Sequence, residues 1–221
     1  MLQAVIFDFD GVIVNSEPLH HSLFNRVLDE VSIEISWEEY KKEFIGFDDR
    51  DALRYAFKKH RKYITRKKLQ HLIDAKALLV EAAMQRGEAA ILPGALELLR
   101  SISPRVPVAI CSGALKSDIM PIVEQHALNA HLQHIVSAED TPKSKPDPAP
   151  YLHTLSLLPQ VEATQTVAIE DTPAGIRSAK SAGLQVLAVT NSFPSSELTE
   201  ADAITDSLLH VNRKSLEDLI Y

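Results

Sequence analysis

The feature that most constrains this chain is a rhythm in its latter part, where short apolar runs of strand character alternate with helical stretches. After Pro93-Gly94 the strand-like runs fall at 106–111, 134–137, 166–169, 185–189 and 203–205, and the helical ones at 96–102, 116–126, 149–158 and 173–182. Such alternation builds a parallel sheet with helices on both faces, because parallel neighbours need a crossover that a helix supplies. Ala4-Val5-Ile6-Phe7, a run with no polar member, reads as a further strand buried on both faces. Between it and the alternating part the pattern is helical. Leu19, Leu23 and Val27 repeat at intervals of four, and Leu69, Leu72, Ile73, Leu79 and Ala83 extend a similar stripe. The expected architecture is a doubly wound, Rossmann-like α/β core from residues 1–14 and 88–221, with an all-helical domain, 15–87, inserted after the first strand. Parallel sheets bind ligands beyond the carboxyl ends of their strands, so chemistry is sought there.

Composition narrows the partners. A formal net charge of -7 over 221 residues repels phosphate backbones, which argues against extended nucleic-acid binding and leaves a compact anion needing a local positive site. The basic stretch Lys58-Lys59-His60-Arg61-Lys62, continued by Arg66-Lys67-Lys68, reads as a solvated helical face. A single cysteine, Cys111, has no partner for an internal disulfide and reads as a small buried hydrophobe. No apolar run reaches membrane-spanning length, and the start of the chain lacks the pattern of a cleaved leader. The expectation is a cytoplasmic monomer without membrane partners.

Acidic, basic and hydroxyl residues collect at the expected strand ends. In Phe7-Asp8-Phe9-Asp10-Gly11 two carboxylates leave the first strand two residues apart, a spacing that directs them to one side. Their repulsion calls for a cation, and magnesium suits carboxylate and carbonyl oxygens while keeping room for a substrate phosphate. Glu170-Asp171 follows Thr166-Val167-Ala168-Ile169 as a second acidic pair. Ser112-Gly113 follows Val108-Ala109-Ile110-Cys111 and offers a hydroxyl with backbone donors beside a helix start. Lys145, in Ser144-Lys145-Pro146-Asp147-Pro148, stands in a loop stiffened by two prolines. Taken singly, each has a plain use: a solvated turn, a helix cap, the cap of the helix from Pro173, a surface lysine. Taken together, they supply carboxylates, a hydroxyl and an ammonium for one phosphate.

These segments, in this order, resemble the four motifs of the haloacid dehalogenase superfamily of phosphatases. Phe7-Asp8-Phe9-Asp10-Gly11-Val12 is similar to the first, Ser112-Gly113 to the second, Lys145-Pro146 to the third, and Glu170-Asp171 with Gly175 to the fourth. The resemblance implies a magnesium-dependent hydrolase of small phosphorylated metabolites. Asp8 is then the nucleophile that forms an aspartyl phosphate, and Asp10 the acid and base that serves leaving alcohol and water. Ser112 binds the phosphoryl oxygens, Lys145 neutralises charge, and Gly11 and Gly113 lie against the substrate. Asp8, the backbone carbonyl of Asp10, Glu170 and Asp171 are the implied metal set. Asp10 points to phosphate esters, since the dehalogenase and phosphonate-cleaving branches lack an aspartate there.

The helical insertion resembles the cap of the subgroup that contains β-phosphoglucomutase, a mobile element that excludes water and selects substrate. His20 in Glu17-Pro18-Leu19-His20, Arg50 in Gly46-Phe47-Asp48-Asp49-Arg50, and Lys76 are the implied substrate contacts, with Arg50 one residue out of register. Hydrolysis of a sugar phosphate is the expected activity. A mutase that returns the phosphoryl group to the same sugar is the alternative, and a non-catalytic binding module a third.

Overall fold

The computed structural model describes residues 1–45, 47, 49–158 and 160–220. The chain divides into two compact units, Met1–Asn15 with Ala90–Tyr221, and Ser16–Ala89.

The first unit is built on a sheet of six parallel strands. These are β1 (Ala4–Phe7), β4 (Val108–Cys111), β5 (His134–Val136), β6 (Thr166–Glu170), β7 (Gln185–Val189) and β8 (Ala203–Thr205), in the order β5-β4-β1-β6-β7-β8. A short antiparallel ribbon stands outside this sheet, with β2 (Val14–Asn15) paired to β3 (Ala90–Ile91). Two-residue strands carry no periodicity, which is why the sequence gives no sign of this ribbon. The chain runs outward from β1 through β4 to β5, then crosses back to β6 and winds the other way. The order therefore reverses at β1, the place where doubly wound sheets open a crevice for ligands. Phe7 is level with Ile110 on one side and Ile169 on the other, so the ends of three strands lie side by side there.

Burial explains why the centre is apolar along its length. All of β1, β4 and β6 is buried, because helices cover the sheet. Ala4 and Ile6 of β1 pack with Ala109, Ala168, Val186 and Ala188 of neighbouring strands, against Tyr151 of α7 (Ala149–Leu157) and Ile176 and Ala179 of α8 (Pro173–Ser181). Thr172 is the N-cap of α8, its side chain accepting from the Gly175 amide, so Glu170 and Asp171 are not that cap.

Among the described residues the second unit has four α-helices, α1 (Glu17–Leu28), α2 (Trp37–Glu43), α3 (Asp49–Lys59) and α4 (Arg66–Gln85). Their apolar faces meet in a core of Phe24, Leu28, Ile33, Ile35, Phe44, Leu53 and Leu72. Tyr40 stacks on both Trp37 and Phe44 along the α2 face. Among the described residues no helix is long and apolar enough to cross a membrane.

Candidate active site

Asp8 is the first residue past β1, and its amide donates to the Ile169 carbonyl at 2.9 Å, which extends the pairing with β6 and fixes where its side chain leaves the sheet. From the end of the neighbouring β6 come Glu170 and Asp171. Carboxylate oxygens of Asp8, Glu170 and Asp171 all lie within 4.8 Å of one another, and all three residues are buried. Lys145 enters from the loop before α7: its Nζ lies 2.9 Å from Asp8 Oδ1 and 2.6 Å from Glu170 Oε1, and donates to the Cys111 carbonyl at 3.0 Å. That last bond ties the ammonium to the end of β4. The loop is held in turn by Asp147, whose side chain accepts from the Ala149 amide and whose carbonyl accepts from the buried Ser178 hydroxyl at 2.6 Å.

Three buried carboxylates against one ammonium leave a surplus of negative charge, and the proton affinities register it. Burial, then the Glu170 charge, pushes Asp8 up to about 7 against the pull of Lys145. Burial, then the Asp8 charge, pushes Asp171 well above the usual carboxylate range. Burial opposes the charge on Lys145, but Asp8 and Glu170 outweigh it and hold the ammonium above its ordinary range. Cys111 is buried, and its thiol is pushed up to about 11, so it stays an unreactive part of the core.

The donor set fits a divalent cation. Among the described residues the buried Asp171 Oδ1 has no hydrogen-bond partner, an arrangement that costs free energy unless something positive meets the oxygen. Its other oxygen accepts from the Ser192 hydroxyl. Glu170 is differently placed. Its Oε1 accepts from Lys145 and from the Tyr151 hydroxyl at 2.7 Å, and its Oε2 from the Asp171 amide at 3.2 Å. Hard oxygen donors of this kind, with no sulfur or imidazole among them, suit magnesium or a similar ion.

Two glycines permit this crowding. Gly11 has φ +75°, and a Cβ there would lie 1.7 Å from Asp171 Oδ2. A Cβ on Gly175 would come 2.0 Å from Glu170 Oε2. Gly113 differs: an added Cβ meets nothing within 4 Å, so the fold does not itself require glycine at that point. Asp10 stands in the tight turn that follows, where the Ile13 and Val14 amides donate to the Phe9 carbonyl, and its charge contributes to the raised proton affinity of Asp8. Ser112 is buried at the end of β4 with its Oγ accepting from the Ala114 amide at 2.9 Å.

Sequence reasoning missed three contributors. Asn191 donates from Nδ2 to the Gly11 carbonyl at 2.7 Å, Ser192 bonds Asp171, and Tyr151 bonds Glu170. Asn191 and Ser192 lie just beyond β7, so the rule that pointed to the other strand ends applies to them as well. Tyr151, inside α7, has no such signal.

In the helical unit, Lys76 is buried and paired with Asp49, and its Nζ lies 3.5 Å from His20 Nδ1. Burial, then the Lys76 charge, lowers His20 to about 4 although Asp49 pulls the other way, so the imidazole is neutral at ordinary pH. Arg50 is not part of this group; it lines a separate cavity with Arg54 and Arg66. Gly46 and Asp48 of the same segment lie outside the described residues.

Comparison with known proteins bears on the family and the fold. A family model described as haloacid dehalogenase-like hydrolase matches residues 5–189. Validoxylamine A 7'-phosphate phosphatase of Streptomyces hygroscopicus subsp. limoneus is 26% identical, the match covering 96% of each chain. A phosphorylated carbohydrates phosphatase of Thermotoga maritima is 25% identical over 92% of this chain and 93% of its own. The crystal structure of CbbY from Rhodobacter sphaeroides in complex with phosphate superposes with a TM-score of 0.84 at 24% identity, covering 99% of this chain and 100% of that one.

Two outcomes follow from the geometry. Gly11→Ala drives a methyl group into the Asp171 carboxylate on strained backbone, so magnesium affinity measured by calorimetry is expected to fall by roughly tenfold or more. For His20, whose folded value of about 4 lies below its ordinary 6.5, the unfolded chain binds more protons between those limits. Its contribution to stability is therefore present above pH 6.5 and is lost as pH falls toward 4. Urea denaturation across that window is expected to show a shallower decline in His20→Asn than in the wild type.

Proposed function

Because the chain belongs to the haloacid dehalogenase-like hydrolases, we propose that it is a magnesium-dependent phosphatase of small phosphorylated metabolites, most of all sugar phosphates, working through an aspartyl phosphate on Asp8. The observation that carries this reading is the contact of Lys145 with Asp8 at 2.9 Å beside the unpartnered Oδ1 of Asp171. One carboxylate is thus positioned by an ammonium next to a place for a cation, which is what a carboxylate nucleophile facing a phosphate dianion needs. The two relatives that are named phosphatases of a validoxylamine phosphate and of phosphorylated carbohydrates support the substrate class.

The residues divide the work as follows. An Asp8 oxygen attacks phosphorus, forming the acyl phosphate as the bond to the substrate alcohol breaks. Asp10 gives its proton to the departing oxygen, then takes a proton from the water that cleaves the acyl phosphate and frees Asp8. Lys145 offsets charge on Asp8 and on the phosphoryl oxygens, the Ser112 hydroxyl donates to them, and the open space at Gly113 admits them. Asp8, the Asp10 carbonyl and Asp171 would hold magnesium, with Glu170 alongside, and the ion would supply neutralisation of phosphate charge. Glu170, bonded by Lys145 and Tyr151, also positions the ammonium. Residues 15–87 are read as the cap of this family, with His20 and Lys76 as its polar contacts.

Hydrolysis is favoured over intramolecular transfer because an acid, Asp49, stands against Lys76 where a mutase reading calls for an arginine. Phosphate release from an aryl phosphate and from a panel of sugar phosphates, with magnesium present, tests the proposal. Asp8→Asn is expected to lose at least about three orders of magnitude in kcat; equal turnover in the variant removes Asp8 from its role. Conversion of glucose 1-phosphate to glucose 6-phosphate with little free phosphate makes the enzyme a mutase instead.

A further inference from the structure

The helical unit contains a concave site that involves neither Lys76 nor His20. A cavity of about 480 Å³ opens between α3 and α4, lined by Arg50 and Arg54 from α3, Arg66 and Gln70 from α4, and the apolar side chains of Ile64 and Ile73. Arg50 and Arg54 are four residues apart on one helix, as are Arg66 and Gln70 on the other, so each pair presents its polar ends on one face. Three arginines thereby line one hollow. Two acids stand nearby: Asp51 reaches Arg54 at 3.8 Å on an exposed edge, and Asp74 accepts from the Gln70 amide at 2.8 Å, so three arginines line the cavity with two carboxylates beside it. Among the described residues neither Arg50 nor Arg66 forms an ion pair within 4.0 Å.

Three lysines of the basic stretch behave otherwise. Lys59 is paired with Glu39 at 2.8 Å and Glu43 at 2.5 Å, Lys68 with Glu30, and Lys62 donates to the Val31 and Ser32 carbonyls. The unit's acids and carbonyls thus occupy these three lysines, and the cationic groups left facing a cavity are arginines. A guanidinium fork matches phosphate and carboxylate with paired hydrogen bonds, which a lysine cannot do. The volume is that of a small-molecule pocket, and the two isoleucines give a carbon skeleton somewhere to lie.

We infer that this cavity binds a small polyanion, a metabolite carrying two or more phosphate or carboxylate groups on a short carbon frame. The site is separate from the catalytic reading and stands without it. Because α3 also presents Asp49 and α4 also presents Lys76, an occupant that bridges the two helices restrains the pair those residues form.

Calorimetric titration of the full chain with inorganic pyrophosphate in chelator-free buffer stripped of divalent ions, at low ionic strength, tests the inference, with citrate in a second arm to separate phosphate from carboxylate chemistry. Saturable binding is expected for at least one of the two, weakened by roughly tenfold or more in Arg54→Gln/Arg66→Gln and in Gln70→Glu, which places an acid in the pocket. Both arginines and Gln70 are exposed, so these substitutions leave the core untouched. Arg54→Lys/Arg66→Lys keeps the charge and removes the forks, and it too is expected to weaken binding. Absence of saturable binding in both arms overturns the inference. So does wild-type affinity in the glutamine double variant, and so does wild-type affinity in the lysine double variant, which reduces the effect to diffuse charge.

Discussion

Everything at the site depends on one electrostatic constraint, the enforced approach of the Asp8, Glu170 and Asp171 carboxylates in a buried place with a single ammonium to offset them. Left alone, such an arrangement is unfavourable, because charge removed from water is costly unless it is matched. The fold tolerates it by rigid means. Asp8 is fixed by the pairing of β1 with β6, Lys145 is tied to the end of β4, and Tyr151 and Ser192 each hold one carboxylate. What the protein leaves unbalanced is negative charge that favours a cation, so on the proposed reading the local destabilisation and the affinity for that cation have the same physical source.

The sheet places this constraint where it is useful. The winding reverses at β1, where doubly wound sheets leave a crevice at the carboxyl ends of their strands. Groups from separate stretches of sequence then meet at those ends. The glycines complete the fit: at Gly11 and Gly175 the backbone comes so close to Asp171 and Glu170 that even a methyl group is excluded.

Much of this was readable in the sequence, for identifiable reasons. Ala4–Phe7, Gln185–Val189 and Ala203–Thr205 are strands with the expected bounds, since an apolar run bounded by polar residues states its own length. The carboxylates and Lys145 were legible because each follows such a run or stands in a proline-bounded loop. The ribbon of Val14–Asn15 with Ala90–Ile91 was not, being two residues on each side. Tyr151 was not, because an aromatic residue within an amphipathic helix reads as core whether or not its hydroxyl meets a carboxylate. In the helical unit a single position mattered: Asp49 pairs with Lys76 while Arg50 turns to a cavity with Arg54 and Arg66. Adjacent residues on a helix face different ways, so a one-residue difference in register changes which charge meets which partner.

The central claim is that these carboxylates are gathered to hold a cation, and titration of magnesium into the purified chain measures it most directly. The account predicts one saturable site per chain, lost in Asp171→Asn, the substitution that replaces the unpartnered oxygen's carboxylate with an amide. Binding of equal strength in the wild type and in that variant contradicts it.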